Sequence, residues 1–484
     1  MKSDKQAIGG RTCQGAGKIL ISIALVLLVA CALIVSRRPK TERQVSKNVS
    51  KNVPLAATFV DPLAVVLTPQ TGDSRIDRKI SRFQQQIREG RNPELGLEQL
   101  GWAFVAKARE SFDAGFYKLA EQCALGIEKH NPQSQGAMLL RGHVLHTMHR
   151  FKESEALARR LVEQRGLGFD YALLGDALME QGRLKEAVEA YQRMMNLKPD
   201  LQAYARAGHM RWLKGDLDGA IEVMQLAVSA ASPLDAESAA WANTRLASYD
   251  FQAGRFKDAE QRCAVALSFQ SEYAPTLLLR GKMLLAQNKS SEAVDVLQNA
   301  EKLNPLPEYQ WALADALQAL GGRENEASAI EAQLRQHGAA SDPRTFAIFL
   351  ATRRESPDTA LRLARAEFDS RSDVFTHDAL AWSLVAAGKL AEARGEMERA
   401  LVEGTEDARL FVHAAVIHAK ADHKEEALPF FEQATRLTHL LLPSEREQLQ
   451  LAAGAISNDL ADSVRPANGA TALNLRATES PRRD

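Results

Sequence analysis

Several kinds of chemistry leave no trace in this sequence. No G-x-S-x-G, H-E-x-x-H or C-x-x-C pattern occurs in its 484 residues, so the usual local signals of serine hydrolases, zinc peptidases and thiol redox centres are missing. Gly15-Ala16-Gly17-Lys18 ends like a phosphate loop, but the first glycine of that pattern would fall on Thr12 and no strand precedes it. There are four cysteines, Cys13, Cys31, Cys123 and Cys263, and their separations fit no metal-binding or redox spacing. Cys123 and Cys263 read as small core residues. Aromatics make up only 6% of the chain, while Ala and Leu are abundant, which favours helices over sheets. Net charge is also absent, with 61 basic against 61 acidic residues, so no global field would draw the protein to nucleic acid.

Charge is uneven at one place. Ten basic residues fall within the first 51 positions, against only Asp4 and Glu42. They flank residues 19–35, ILISIALVLLVACALIV, a run without a polar face that would span roughly 26 Å as a helix. That is slightly short of a bilayer core of about 30 Å, a deficit that snorkelling of Lys18 and Arg37 can cover. The same stretch has a second reading. Leu28-Val29-Ala30-Cys31 is similar to a bacterial lipobox, which would make Cys31 a lipidated amino terminus. Both readings anchor the chain to a bacterial membrane by a single amino-terminal element. The positive-inside rule leans towards a cytoplasmic body, and the signal-like layout towards an exported, periplasmic one, which is the side expected here. Residues 1–18 then form a basic tail. Residues 36–73, with the tandem SKNV-SKNV and four prolines, form a linker.

The body of the chain repeats itself. In Phe169 to Asp200, two apolar-periodic segments flank the turn Gln181-Gly182-Arg183, and Pro199 ends the second. A small residue returns at intervals of 33 or 34, at Ala120, Ser154, Ala187, Ala220, Ala259, Ala293, Ala327, Ala360, Ala393 and Ala427, with one break of 39 between Ala220 and Ala259. That break predicts a longer loop over 229–238. Glycine marks the turn between helices at Gly115, Gly182, Gly215, Gly254, Gly321 and Gly388, and another lies in mid first helix at Gly142, Gly175, Gly208 and Gly281.

Leu174-Gly175, Ala187, Tyr191 and Pro199 match the signature of the tetratricopeptide repeat, and the resemblance covers roughly residues 101–440. The stretch DALAWSLVAAGKLAEARGEMERALVEGTEDARLFVHAAVIHA also resembles uncharacterised bacterial repeat proteins with an anchored or exported amino terminus. The resemblance implies an all-α, right-handed superhelical solenoid of about ten helix pairs, here preceded by one membrane helix. Such arrays need caps, because an isolated hairpin leaves apolar faces uncovered. Ile76, Ile80, Phe83 and Ile87 predict an amino-terminal capping helix over 74–92. Ser444-Glu445-Arg446-Glu447 is a capping-box pattern that opens a carboxy-terminal capping helix over 444–462. Residues 465–484 read as a disordered tail.

In that family the first helix of each repeat lines the concave wall. With the mid-helix glycine as position eight, positions two, five, nine and twelve share one stripe. All five tryptophans lie on it, Trp102, Trp212, Trp241, Trp311 and Trp382, with Phe112, Phe169, Phe251, Phe349 and Phe375. Arg109, His143, His146, Asp176, His209, Lys282, Asp315 and Asp378 accompany them. Aromatic anchors bordered by charge suit a peptide or a partner helix. The expected function is a membrane-anchored scaffold or adaptor without catalytic activity or cofactor. The alternative is an accessory subunit whose indoles hold a carbohydrate or lipid-linked substrate for a partner enzyme. His143, His146 and His149 share a helix face but lack a neighbouring carboxylate or cysteine at ligand spacing, so no metal is expected there.

Overall fold

The computed structural model describes residues 61–457, which form one compact unit. The basic tail, the apolar segment 19–35 with Cys31, the linker up to residue 60 and everything after Ser457 lie outside the described residues. Within them there are helices and no strands, and none of the helices is long and apolar enough to cross a membrane.

Two helices lead, α1 (Pro62–Val66) and α2 (Arg75–Arg88). Ten antiparallel hairpins follow: α3–α4 (93–128), α5–α6 (135–164), α7–α8 (168–197), α9–α10 (201–229), α11–α12 (236–269), α13–α14 (274–303), α15–α16 (307–341), α17–α18 (343–370), α19–α20 (374–401) and α21–α22 (408–436). Helix α23 (Pro443–Ile456) closes the described chain. Most of the first helices start with a capping side chain. Ser134, Asp200, Asp235, Asp342, Asp373 and Asp407 each accept a backbone N–H of the first turn. Each of the ten recurring small residues lies on a second helix and is essentially buried, between 0% and 1% exposed, so the periodicity in the sequence is the packing seam of the array. Gly175 shows why bulk is excluded at such a crossing. A Cβ there would stand 2.3 Å from the ring of Tyr191, which packs across it from the second helix.

Three details differ from the sequence expectation. The break in spacing is not a long loop: residues 230–235 make a short turn, and α11 (Ala236–Gln252) has 17 residues where α9 (Leu201–Leu213) and α13 (Ala274–Ala286) have 13. The insertion is mostly one extra helical turn, because Ala236-Glu237-Ser238-Ala239-Ala240 behind the Asp235 cap is helix-forming. In the first repeat the left-handed turn residue is Phe112 (φ 55°), and Gly115 begins α4. At the far end Ser444 does not cap α23. Leu442 occupies that position, and Glu445 reaches back to accept its N–H at 2.8 Å.

At the amino-terminal end α2 runs from Arg75 to Arg88, Ser74 and Asp77 form its capping box, and Ile80 and Ile87 are buried against the first hairpin. The carboxy-terminal helix does more than cap. Beyond covering α21 (Ala408–Lys420) and α22 (Lys424–Arg436), it reaches α15 (Pro307–Leu320) and α17 (Pro343–Arg353). The apolar core from Ala274 to Ala453 is accordingly continuous, whereas the earlier repeats carry a series of separate clusters.

The array also curls back on itself. The turn ends of first helices in repeats two to five meet segments between later repeats. Ser372 donates its N–H to Glu180 O (3.1 Å) and its Oγ to Gln181 O (2.9 Å). Thr405 Oγ1 donates to Leu213 O, Lys214 pairs with Glu403 at 2.6 Å, and Gln252 donates to Glu406 O. His439 Nε2 donates to Phe251 O at 2.9 Å, and the Arg371 guanidinium lies 3.0 Å from a ring nitrogen of His149.

Candidate functional site

The first-helix stripe divides into a part that water reaches and a part covered by the protein's own chain. On the covered part, Trp311 is 0% exposed and donates its Nε1–H to Ser444 Oγ at 3.0 Å. Phe349 packs edge-on to it at 5.7 Å. Asp315 accepts from Ser444 N (2.9 Å), Ser444 Oγ (2.6 Å) and Arg353 (2.7 Å); burial nevertheless pushes its carboxyl up to about 6, with Arg353 and Ser444 opposing. Trp382 donates to Thr352 Oγ1 at 3.0 Å and stacks on His413 at 4.1 Å, while His413 meets Asp378 at 2.7 Å. Phe251 is buried beneath His439, edge-on at 5.3 Å. Six expected contact residues, Phe251, Trp311, Asp315, Phe349, Asp378 and Trp382, are therefore corrected to interior residues. The array curls tightly enough for its own carboxy-terminal elements to occupy their surface.

The remaining residues stay on an accessible wall. Trp102 is half-buried with its ring 5.4 Å from that of His143. His146 packs edge-on to Phe151 at 5.2 Å. Trp241 is half-buried and Phe169 is 57% exposed. Asp176 receives Tyr191 Oη at 2.8 Å and the Arg206 fork at 2.8 and 2.6 Å. Lys282 pairs with Glu308 at 2.5 Å. Arg109 is exposed and reaches Glu237 at 3.2 Å, so the extra turn of α11 links the fifth repeat to the first. Trp212 lies between His209 (5.4 Å) and Phe375 (5.7 Å), and its Nε1–H donates to Gln252 at 2.7 Å.

Arg206, Glu308, Arg344 and Arg409 also belong to this wall, with the buried Arg371 behind it, and the sequence reading does not include them. Glu308 and Arg409 each open a first helix, at the same point as Phe375, so the repeat register could have found them. Arg344 is likewise the second residue of its first helix, whereas Arg371 ends a second helix, where the register carries no signal. The cations have carboxylate partners: Arg206 with Asp176, Arg344 with Asp373, and Arg409 with Glu445. The wall is thus self-neutralising, unlike a surface built for a polyanion.

Burial depresses the imidazoles of this wall, to about 4 for His143 and about 3 for His209, with His146 and Arg245 as the respective next causes. A folded-state value below the unfolded value of 6.5 means that native His209 stays neutral while the unfolded chain takes up a proton. Stability contributed by the neutral ring is present above pH 6.5 and is lost as pH falls. Between pH 7 and 5 His209 should account for about 1–2 kcal/mol. Denaturant midpoints of wild type and His209→Gln at both pH values check this, and an equal acid loss in the two would contradict it.

Among the described residues no three His, Cys, Asp or Glu side chains are placed to hold one metal ion. Cys123 and Cys263 are free and buried.

Comparison with known proteins agrees with the helical pattern. A tetratricopeptide-repeat family description matches residues 172–236 and 379–438. No curated protein sequence matches. Among solved structures the chain is similar to the APC/C hetero-tetramer Cut9–Hcn1, with 13% identity, a TM-score of 0.40, and coverage of 81% of this chain and 62% of that one. The present chain therefore spans less than two thirds of that protein's length. It is also similar to TTC0263, a thermophilic TPR protein of Thermus thermophilus (19% identity, TM-score 0.33, 38% of this chain and 94% of that one). A third similar structure is yeast Tom70 (13% identity, TM-score 0.35, 77% and 94%). These likenesses concern the fold alone. With ten hairpins in register among the described residues and the family pattern matched in two regions, the chain carries tetratricopeptide-type repeats. That fold suggests a scaffold for protein–protein interaction, the stacked hairpins offering an extended surface.

Proposed function

We propose that this protein is a non-enzymatic scaffold that holds a protein or peptide partner on the open first-helix wall of its early repeats. The single observation that carries the reading is the division of the stripe. Trp102, His143, Asp176, His209 and Trp241 keep access to water after the chain has covered the equivalent residues of later repeats. Phe169 at 57% exposure extends the same stripe. Half-exposed indoles beside imidazole and paired charge supply apolar contact area with polar groups to fix orientation, the composition of a recognition surface. The balanced charge favours a protein over a nucleic acid.

The same proposal places the repeats at a bacterial membrane through residues 19–35, as a retained helix or through lipidation of Cys31, with the body exported. The support is the apolar run and its basic flanks. Carbonate extraction of membranes and protease protection of the repeat body test this part.

For the partner, crosslinked pulldown from membranes should lose its specific captured protein when Trp102 and Trp241 are both changed to alanine, with at least a tenfold fall in recovery, since a buried interfacial indole can contribute about 2 kcal/mol or more. Unchanged capture by a folded double variant would remove the wall as the site.

A further inference from the structure

We propose that the contact between repeats two to five and the segments leading into repeats nine and ten, with residue 439 behind them, is a reversible latch. In its closed state it withholds Trp212 and its neighbours from a partner. The gating half of this inference rests on the first-helix wall being the binding face; the latch itself does not.

The contact is built unlike the rest of the array. Consecutive hairpins are joined by buried alanine, leucine and methionine side chains. Across the latch, by contrast, hydroxyl, amide and imidazole groups of Ser372, Thr405, Gln252 and His439 donate to main-chain carbonyls. One ion pair is water-accessible, with Lys214 46% and Glu403 26% exposed, and a second, Arg371 with Glu180 at 3.5 Å, is largely buried. Ring and apolar contacts are few: Phe375 on Trp212, His439 against Phe251 and Phe256, the Arg371 guanidinium over Phe151, and Leu440 beside the Phe251 cluster. Water can replace such hydrogen bonds, and parting the two sides leaves every nearest-neighbour interface intact, because each hairpin is held by its neighbours. The contact can therefore part without unfolding any hairpin.

It is also a fitted seam. Two turn glycines meet the opposing main chain so closely that a Cβ on Gly182 would stand 2.3 Å from Ser372 O, and one on Gly215 2.6 Å from Gly404 O. Gly254 and Gly388 have the same left-handed backbone, φ 72° and 74°, with nothing within 4 Å of their Cβ positions. The four share one conformational demand, and only the first two share the latch.

Closure occupies Trp212, whose ring is stacked on Phe375 and whose N–H is held by Gln252, itself bonded across the seam to Glu406 O. A partner that binds this indole selects the open state, and one confined to Trp102 and His143 does not discriminate.

The experiment is amide hydrogen exchange on the full chain, followed at Ser372, whose N–H is bonded across the seam. In the wild type this amide should exchange faster than the interior amides of α19 (Val374–Ala386), by local opening. Gly182→Ala with Gly215→Ala should speed it at least tenfold further, whereas Gly254→Ala with Gly388→Ala, equally strained, should leave it unchanged. Ser372→Ala with Thr405→Val, which strains no backbone, should loosen Gly404 and residues 437–440 likewise and raise acrylamide quenching of tryptophan. Exchange of Ser372 only with global unfolding, or equal responses from both glycine pairs, overturns the latch. Faster exchange in the variants without any change in pulldown would leave the latch standing and overturn its gating of a partner.

Discussion

Replacing Trp311 by alanine is expected to destabilise the carboxy-terminal half by about 3–5 kcal/mol, the range for truncating a large buried aromatic. The side chain is 0% exposed, lies edge-on to Phe349 at 5.7 Å, and carries the Arg409 guanidinium over its ring at 5.4 Å. Its N–H holds Ser444, which in turn is bonded to Asp315. Truncation opens a cavity and also removes a bond at the start of α23, so α23 should lose protection before the repeats do. Trp311→Phe keeps most of the apolar area and should cost only about 1–2 kcal/mol. Denaturant unfolding of both variants, with limited proteolysis of the region after Leu442, provides the check. Trp102→Ala is the reference: if the two alanine variants lose equal stability, Trp311 is not the interior residue described above.

The second large effect is expected at Arg371, a side chain only 8% exposed. Its guanidinium faces Glu180 (3.5 Å), Glu367 (3.3 Å) and Asp373 (4.0 Å), and lies 5.5 Å over the Phe151 ring. Arg371→Met preserves some of the packing but leaves carboxylates partly buried without their cation, an arrangement that costs about 3–5 kcal/mol. The loss should depend on pH. Burial, with Asp373 next, pushes the Glu180 carboxyl up to about 7, above its unfolded value of 4.5. A raised acid binds its proton more tightly in the folded state, so ionising it lowers stability as pH rises from 4.5 through 7. Without Arg371 that penalty grows, so the variant should be impaired more at pH 8 than at pH 5.5. Thermal melts at the two values decide the sign, and a smaller deficit at pH 8 would contradict the assignment.

The array itself was legible because its energetics are local. Ten small residues had to recur wherever a second helix crosses a first, and each of them is buried. The capping stripe of Ile76, Ile80, Phe83 and Ile87 was readable for the same reason. Accessibility of the tryptophans was not, because Trp102 and Trp311 sit on the same stripe of the same kind of helix. They differ through Ser444, 133 residues beyond Trp311, and no pattern near Trp311 announces it. The extra turn of α11 is hidden in the sequence because Pro233 and its serine neighbours are turn formers that directly precede the helix-forming residues after Asp235. The seam between repeats was invisible for a different reason. Its acceptors are main-chain carbonyls, which every residue possesses, and its donors are ordinary serine, threonine, glutamine and histidine.

Three contacts across the seam keep nearly one offset, 191 residues for Ser372 with Gln181, 192 for Thr405 with Leu213 and 188 for His439 with Phe251, while Gln252 with Glu406 at 154 and Arg371 with His149 at 222 fall about one repeat to either side. Ordinary tandem arrays lengthen or shorten by duplicating or losing a unit, since each unit answers only to its neighbours. Here a unit gained or lost between the fifth and eighth would slide every pairing by a whole hairpin and set each turn against the wrong partner. Copy number in this stretch is consequently a fixed dimension of the molecule, as binding as the length of a strand in a closed barrel.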